Sequence, residues 1–360
     1  MMLKARHLKR LDRYLGQGFA RLLPTPGRTD EIDVRNVLFI RPGGLGDVLL
    51  LLPTITLLKQ VYPDSQIDVL AESRNRGGLM LCPHIHGIYR YDHFPDMVNL
   101  FLKRYDVVID TEQWYRLSAV VARLVRSNWK IGFATNERQR MLTHPVDYLM
   151  RDYEVFNFFR LLEPLGIQAP DQCPDRFLSV PSSAKESVNR LLSGYPYEKL
   201  VVIFPFASIP ERRWGWANFR KVAEWCLTKD VGVVIVGGQE DREESLLIAQ
   251  GLEVCNLVGE LRVVETAELM DRSSAVVSGD SGPLHIAVGV GAQTVSLFGP
   301  GIEEKWAPRG DMHKVINMHL ECSPCTAYGV TPPCPIGVQC MHKIEVKEVT
   351  RALGTLLPES

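Results

Sequence analysis

From residue 34 onward, short apolar runs alternate with longer amphipathic stretches. The runs that fit buried strands lie at 37–41, 67–70, 107–110 and 130–132, and then at 200–204, 232–236, 275–278 and 293–298. Residues 47–61 and 115–126 carry apolar side chains at helical spacing. Such alternation is typical of parallel strands joined by crossover helices. The pattern predicts an α/β protein with two doubly wound halves, joined near residues 170–198 and facing each other across a ligand-binding cleft.

The first residues follow a different pattern. Apolar side chains recur there at spacings of three and four, at Leu8, Leu11, Leu15, Phe19 and Leu22, and basic side chains lie between them. Residues 3–22 are therefore predicted to form an amphipathic helix with a basic face. Two interpretations stay open: a helix attracted to anionic lipid headgroups, or one docked on the protein's own body.

Composition narrows the class of protein. The chain has 360 residues, more than one hydrophobic core usually organises, with 46% hydrophobic and 23% charged residues. Its net charge of −1 gives no general electrostatic reason to bind nucleic acid, and none is expected as a partner. The apolar stretch at 48–58 is interrupted by Pro53 and is too short to cross a bilayer. Because no secretory signal is evident, we expect a cytoplasmic enzyme whose eight cysteines are reduced.

The first glycine-rich turn follows the first predicted strand. In Pro-Gly-Gly-Leu-Gly-Asp, Gly43, Gly44 and Gly46 permit a tight turn with close ligand approach, and Asp47 begins a helix. The acid would repel a pyrophosphate placed at this turn, so dinucleotide binding is disfavoured. Asp47 is then either a structural helix-capping acid or a general base that removes a proton from a sugar hydroxyl.

The second half carries a possible anion-binding constellation. In Gly-Asp-Ser-Gly-Pro-Leu-His, Asp280, Ser281, Gly282 and His285 lie between a predicted strand and helix, where backbone N–H groups and the helix dipole favour a diphosphate. The alternative for His285 is a buried core histidine. Upstream, Arg212 and Arg213 are candidates for phosphate contacts, or else a solvated pair. Glu240, after another glycine turn, is a candidate for the ribose hydroxyls.

Taken together, these segments resemble glycosyltransferase family 9 over roughly residues 35–355. The resemblance is carried in order by the turn ending at Asp47, by Arg-Arg-Trp214, by the segment ending at His285, by Leu-Phe-Gly-Pro300 and by a late cysteine block. It implies a GT-B fold and an inverting, metal-independent transfer of heptose from ADP-heptose to a lipid-linked saccharide of the lipopolysaccharide core. The reaction is then expected at the cytoplasmic face of the inner membrane, where the chain would be a peripheral protein.

The resemblance also implies roles for individual residues. Asp47 matches the proposed base of the family, and Asp280, Ser281, Gly282 and His285 match its donor-binding signature. Arg212 stands where many members have lysine, which keeps the charge and changes the hydrogen-bonding geometry. No Asp-x-Asp pair accompanies these residues, so no catalytic cofactor is expected.

The late cysteine block comprises Cys322, Cys325, Cys334 and Cys340. Four cysteines this close in a reducing compartment are compatible with a structural zinc or iron site, or with reduced packing residues. The predicted domains are a basic extension at 1–33, an acceptor domain at 34–180, a donor-nucleotide domain at 181–345 and a C-terminal helix or tail at 346–360. Two other functions stay open from the residues alone: a sugar-nucleotide epimerase, and a non-catalytic sugar-nucleotide binding protein.

Overall fold

The computed structural model describes residues 12, 16, 18, 22–27 and 32–357. Most of the helix predicted for residues 3–22 lies outside these residues. The chain forms two compact units, Met1–Cys173 and Pro174–Ser360, and each has its own sheet.

The first unit is an α/β sheet structure. Its strands are β1 (Asn36–Ile40), β2 (Gln66–Ala71), β3 (Ile85–Arg90), β4 (Val107–Asp110), β5 (Trp129–Phe133) and β6 (His144–Val146). Its helices are α1 (Leu45–Val61), α2 (Arg76–Leu79), α3 (Phe94–Leu102), α4 (Arg116–Leu124) and α5 (Glu154–Arg160), with 3-10 turns at Glu137–Met141 and Glu163–Leu165. The strands are parallel in the order β3-β2-β1-β4-β5-β6. The order reverses between β1 and β4, the position at which open α/β sheets bind ligands.

The second unit repeats this plan. Its strands are β7 (Leu200–Phe204), β8 (Gly232–Ile235), β9 (Cys255–Asn256), β10 (Ala275–Gly279), β11 (Thr294–Phe298) and β12 (His313–Asn317). Its helices are α6 (Ser182–Leu191), α7 (Trp216–Leu227), α8 (Arg242–Ala249), α9 (Val263–Asp271), α10 (Gly282–Gly289), α11 (Glu303–Trp306), α12 (Gln339–His342) and α13 (Val346–Leu356), with 3-10 turns at Pro210–Arg212 and Gln239–Asp241. The parallel order is β12-β11-β10-β7-β8-β9, so its reversal lies between β7 and β10.

The predicted doubly wound α/β fold is confirmed. The eight strands predicted from apolar runs are the eight inner strands of the two sheets. The four strands without a predicted counterpart, β3, β6, β9 and β12, are the four sheet edges. An inner strand of a parallel sheet is buried on both faces and reads as a continuous apolar run, whereas an edge strand such as His-Lys-Val-Ile-Asn in β12 is only partly buried.

Candidate active site

Asp47 lies at the start of α1, and the backbone of the first glycine-rich turn holds its carboxylate. Asp47, the third residue of α1, accepts a hydrogen bond through Oδ2 from the N–H of the N-cap residue Gly44 at 2.8 Å, as the acid of a capping box does. Gly43 has φ 126°, and a Cβ at this position would lie 2.8 Å from Asp47 Oδ2. A glycine is therefore required there both by the backbone conformation and by the approach of the carboxylate.

Arg41, the residue that follows β1, holds the other oxygen of Asp47. Its Nη2 lies 2.7 Å from Asp47 Oδ1, and the arginine side chain is 2% exposed whereas that of Asp47 is 33% exposed. Arg41 Nη1 also donates to the Thr111 carbonyl at 2.7 Å, beyond the end of β4. Arg41 thus bridges the switch point of the first sheet and leaves the carboxylate it binds open to solvent.

Further carboxylates surround Arg41. Burial works against its charge, but Asp47, Glu112 and Glu154 outweigh burial and raise the pKa of Arg41. Glu112 Oε1 accepts backbone N–H groups of the turn after β4, from Gln113 at 3.0 Å and Trp114 at 2.9 Å. The arginine is therefore permanently charged at the centre of an acidic, partly buried region.

The switch point of the second sheet also contains an arginine and an aspartate. Arg212, in the 3-10 turn after β7, reaches Asp280 at the end of β10, with Nη1 2.8 Å from Oδ2 and 3.3 Å from the Asp280 carbonyl oxygen. Its guanidinium carbon lies 5.4 Å from the centre of the Trp306 ring. Within the described part of the chain, the buried Arg212 Nε has no hydrogen-bond partner. This donor lies beside the predicted anion site.

The turn from β10 into α10 has the predicted strand-to-helix form. Ser281 is the N-cap residue, in extended conformation, and Pro283 occupies the first helical turn. The Ser281 hydroxyl lies 3.0 Å from Ser278 Oγ, and its side chain does not cap the helix. The first backbone N–H groups of α10 are thus not capped by this side chain, as an anion site at a helix start requires. His285, one turn further on, is 4% exposed.

A family model decides the class of the protein. The model for glycosyltransferase family 9 (heptosyltransferase) matches residues 98–333, about two-thirds of the chain. The chain belongs to glycosyltransferase family 9. It is therefore a glycosyltransferase.

Individual members of family 9 are similar along most of their length. Lipopolysaccharide heptosyltransferase 3 of Escherichia coli K12 is 29% identical over 287 residues, covering 73% of this chain and 82% of that protein. The solved family 9 glycosyltransferase from Veillonella parvula covers 92% of this chain and 100% of its own, with 19% identity and a TM-score of 0.76. The E. coli ADP-heptose lipopolysaccharide heptosyltransferase II covers 89% and 98%, with 21% identity and a TM-score of 0.73. These two structures share the fold of this chain.

The other two residues predicted to bind the donor in this family 9 enzyme are Arg213 and Glu240. Arg213 donates from Nε to the Ala207 carbonyl at 2.9 Å and pairs with Glu244 at 3.1 Å. Glu240 is exposed in the 3-10 turn after β8, where the neighbouring Asp241 accepts the Gly238 N–H at 3.0 Å. Of the two adjacent arginines, Arg212 is the one that contacts Asp280.

Two of the late cysteines lie beside the Gly299 and Pro300 segment. The Cys325 N–H donates to the Pro300 carbonyl at 3.1 Å, and a Cβ at Gly299 would lie 3.0 Å from Cys340 Sγ. All four are free thiols; Cys322 and Cys325 are exposed and Cys340 is buried. Burial, and then the other three cysteines, raise the pKa of Cys340, which indicates that the four are neighbours. Among the described residues, no three Cys, His, Asp or Glu side chains are arranged so that they could hold a metal ion.

Three candidate site residues were not predicted from the sequence: Arg41, Glu112 and Glu154. Both acids are buried, and Glu154 accepts a hydrogen bond from the Tyr148 hydroxyl at 2.8 Å. The sequence signal for Arg41 was its position: a charged residue directly after an apolar strand lies at the ligand-binding edge of such a sheet.

None of the described helices combines the length and apolar character that a membrane crossing requires.

Proposed function

We propose that this glycosyltransferase transfers a heptose from ADP-heptose to a saccharide acceptor of the lipopolysaccharide core. Family membership and the names of its relatives support this substrate class, since the similar E. coli proteins are a lipopolysaccharide heptosyltransferase 3 and an ADP-heptose lipopolysaccharide heptosyltransferase II. The structural observation that carries the proposal is the contact of Arg212 with Asp280 at the start of α10. It brings a cation to a helix N-terminus, the combination that suits a diphosphate.

In this proposal the second unit binds the donor nucleotide. The diphosphate lies against the first N–H groups of α10, beside Arg212 and the Ser281 and Gly282 backbone. Asp280 orients Arg212. As the bond from the anomeric carbon to the diphosphate breaks, ADP leaves with the electron pair, and the arginine and helix dipole stabilise its growing negative charge.

The first unit supplies the base. Asp47 accepts the proton of the acceptor hydroxyl while the hydroxyl oxygen forms a bond with the anomeric carbon. Attack from the side opposite ADP inverts the configuration of that carbon. Asp47 suits this task because its carboxylate is partly exposed while Arg41 and the Gly44 N–H fix its orientation. We therefore assign acceptor binding to the first unit, which ends at Cys173, and donor binding to the second, which begins at Pro174.

The direct test combines turnover with donor binding. The purified protein is incubated with ADP-heptose and a heptose-deficient core saccharide, and the product is followed by mass spectrometry, with NMR for the anomeric configuration. Asp47→Asn should abolish transfer while ADP binding persists, because the amide keeps the size of the side chain and loses the basic oxygen. Near-normal turnover of Asp47→Asn would exclude the proposed base.

Donor specificity requires a separate experiment. ADP- and UDP-sugars are compared for binding by native mass spectrometry, and incubation with donor alone tests for epimerisation. Family membership favours transfer over the epimerase and binding-protein alternatives. Conversion of the donor without acceptor, or binding with no turnover on any core saccharide, would contradict the proposal.

A structural metal at Cys322, Cys325, Cys334 and Cys340 stays a hypothesis. Such a metal would brace the loop between β12 and α12 and would take no part in the reaction. Elemental analysis of protein purified without chelator tests it. One equivalent of zinc or iron, lost in a Cys322→Ser and Cys325→Ser variant, would support the site, and metal-free protein of full activity would exclude it.

A further inference from the structure

Helix α3 exposes an apolar stripe to solvent. Phe94, Val98 and Leu102 are spaced by four residues, so they lie on one side of the helix. Phe94 is 80% exposed, Val98 40% and Leu102 68%. The opposite side of the helix is anchored by Leu100, which is fully buried in the first unit. The stripe is therefore a second apolar side of a helix whose core-facing side is already packed.

Helix α4 extends this apolar surface. Residues of α3 and α4 pack on one cluster that includes Leu38 and Val108, so both helices cover the same face of the sheet. Their carboxyl ends lie side by side, because the Tyr105 N–H donates to the Arg126 carbonyl at 2.9 Å. Leu124, at the end of α4, is 55% exposed. We call the surface formed by Phe94, Val98, Leu102, Leu124, Arg104 and Arg126 the α3–α4 face.

Two exposed arginines border the apolar stripe. Arg104 and Arg126 are exposed and lie in adjacent, bridged positions. Two acids close by in the sequence are bound to other groups. Asp96, on α3 itself, pairs with Arg90 at 2.7 Å and His93 at 2.8 Å. Asp106 accepts the N–H groups of Arg35 and Asn36. The apolar stripe thus borders a basic row formed by Arg104 and Arg126. Arginine side chains of this kind keep their charge in the headgroup layer while neighbouring apolar groups enter the acyl boundary.

Two described residues of the N-terminal region, Asp12 and Pro24, contact α4. Arg123 donates to the Pro24 carbonyl at 3.2 Å, and Asp12 accepts the N–H groups of Arg116 and Leu117, each at 2.6 Å. Leu22, in the same region, is 82% exposed. The described residues Asp12 and Pro24 thus contact the helix that contributes Leu124.

We propose that the α3–α4 face binds the surface of an anionic lipid bilayer. The apolar stripe enters the boundary of the acyl chains, and Arg104 and Arg126 contact lipid phosphates. A second copy of the chain is a poorer occupant, because a symmetric contact through this face would bring the two basic rows together. The proposal concerns the attachment of the protein to lipid and does not depend on the proposed sugar transfer.

The test is co-sedimentation of the full chain with vesicles that contain no saccharide acceptor. Vesicles of phosphatidylcholine alone are compared with vesicles containing about one-third phosphatidylglycerol. The triple variant Phe94→Ser, Val98→Ser, Leu102→Ser should bind the anionic vesicles about tenfold or more weakly, since three side chains lose their transfer from water. The matched control is Leu246→Ser with Leu247→Ser, two exposed leucines of α8, and it should bind as the wild type does.

The basic row is tested separately. Arg104→Glu with Arg126→Glu should weaken binding, and the loss should shrink as salt is raised. The matched control is Lys221→Glu with Lys229→Glu, which replaces two exposed lysines of the second unit. It makes the same change in net charge and should weaken binding much less. Thermal melting of each variant shows whether it is folded.

Two results would overturn the proposal. One is unchanged vesicle binding by the folded triple variant. The other is dimerisation through this face. In that case size-exclusion chromatography with light scattering would show a dimer for the wild type and a monomer for the triple variant, and both would bind vesicles equally. Transfer to a delipidated, water-soluble acceptor should be the same in wild type and triple variant, so failure of the lipid contact is distinguished from failure of the proposed reaction.

Discussion

Arg212 and Asp280 join the two strands between which the strand order of the second sheet reverses, with Nη1 2.8 Å from Oδ2. If Arg212 contacts the diphosphate, Arg212→Ala should weaken ADP binding by about ten- to a hundredfold, as expected for the loss of a charge-assisted hydrogen bond. Arg213→Ala is the matched control, because Arg213 pairs with Glu244. Calorimetric titration with ADP measures both. Equal losses in the two variants would contradict the assignment of the diphosphate to Arg212.

Gly301 is predicted to be required for the position of Asp280. A Cβ at residue 301 would fall on the Asp280 carboxylate, so Gly301→Ala must displace either the aspartate or the loop. The variant should therefore bind ADP less tightly, with Arg212 no longer held. Gly354→Ala is the control, since its Cβ would meet only Trp225 at an ordinary 3.8 Å. Wild-type ADP affinity in a folded Gly301→Ala protein would show that the Arg212 contact is dispensable.

Arg41 is predicted to position Asp47 for proton transfer. Arg41→Met should lower kcat about ten- to a hundredfold with little change in ADP affinity, because the carboxylate loses its orienting partner. A carboxylate without its neighbouring cation binds a proton more readily, so the acidic limb of the pH–rate profile should move to higher pH. Arg41→Lys should restore part of both effects. A lower kcat with an unmoved acidic limb would indicate a structural role alone.

Lys130 should make stability depend on pH in the alkaline range. Its Nζ donates to the carbonyls of Ala122 and Val125 at the end of α4, and burial lowers its pKa from 10.5 to about 8. Between these values the unfolded chain holds the proton and the folded chain has lost it, so the free energy of unfolding rises with pH. The rise is on the order of 3 kcal/mol. Urea unfolding at several pH values should show it in wild type, and a Lys130→Met variant with the same rise would contradict it.

Asp12 is predicted to stabilise the first unit as a helix cap. Its carboxylate accepts the first N–H groups of α4, from Arg116 and Leu117. Asp12→Ala should cost about 1 kcal/mol of unfolding free energy, and Asp12→Asn less, because the amide oxygen can still accept. Chemical unfolding followed by circular dichroism measures both. No difference between Asp12→Ala and wild type would show that the contact adds no stability.

The strand predictions succeeded wherever burial on both faces imposed a single apolar run. The edge strands did not follow this rule: β3 reads Ile-His-Gly-Ile-Tyr-Arg, and β6 is only three residues long. Their strand conformation comes from pairing with the preceding strands β2 and β5, for example between Ile67 and Ile85 and between Ile131 and His144. Local pattern carries little information about such pairing.

The candidate site also combines local features, which the sequence predicted, with contacts between distant residues, which it did not. Asp47 and the turn from Asp280 to His285 were predictable because glycine-rich strand-to-helix turns are local features. The contact of Arg41 with Thr111 and that of Arg212 with Asp280 were not, because they join residues 70 and 68 positions apart. Arg212 and Arg213 were both candidates for phosphate contacts in the sequence, and only the fold directs one to Asp280 and the other to Glu244.

By itself, the sequence determined the two α/β halves, their inner strands and the turns that carry Asp47 and Asp280, since each depends on neighbouring residues and the periodicity of burial. The tertiary structure decided which strands flank each switch point, which arginine binds which carboxylate, and that Phe94, Val98 and Leu102 face solvent. These features depend on the side from which a distant segment packs. The apolar stripe of α3 has the same chemistry as a core stripe, so only the packed structure shows that it is exposed.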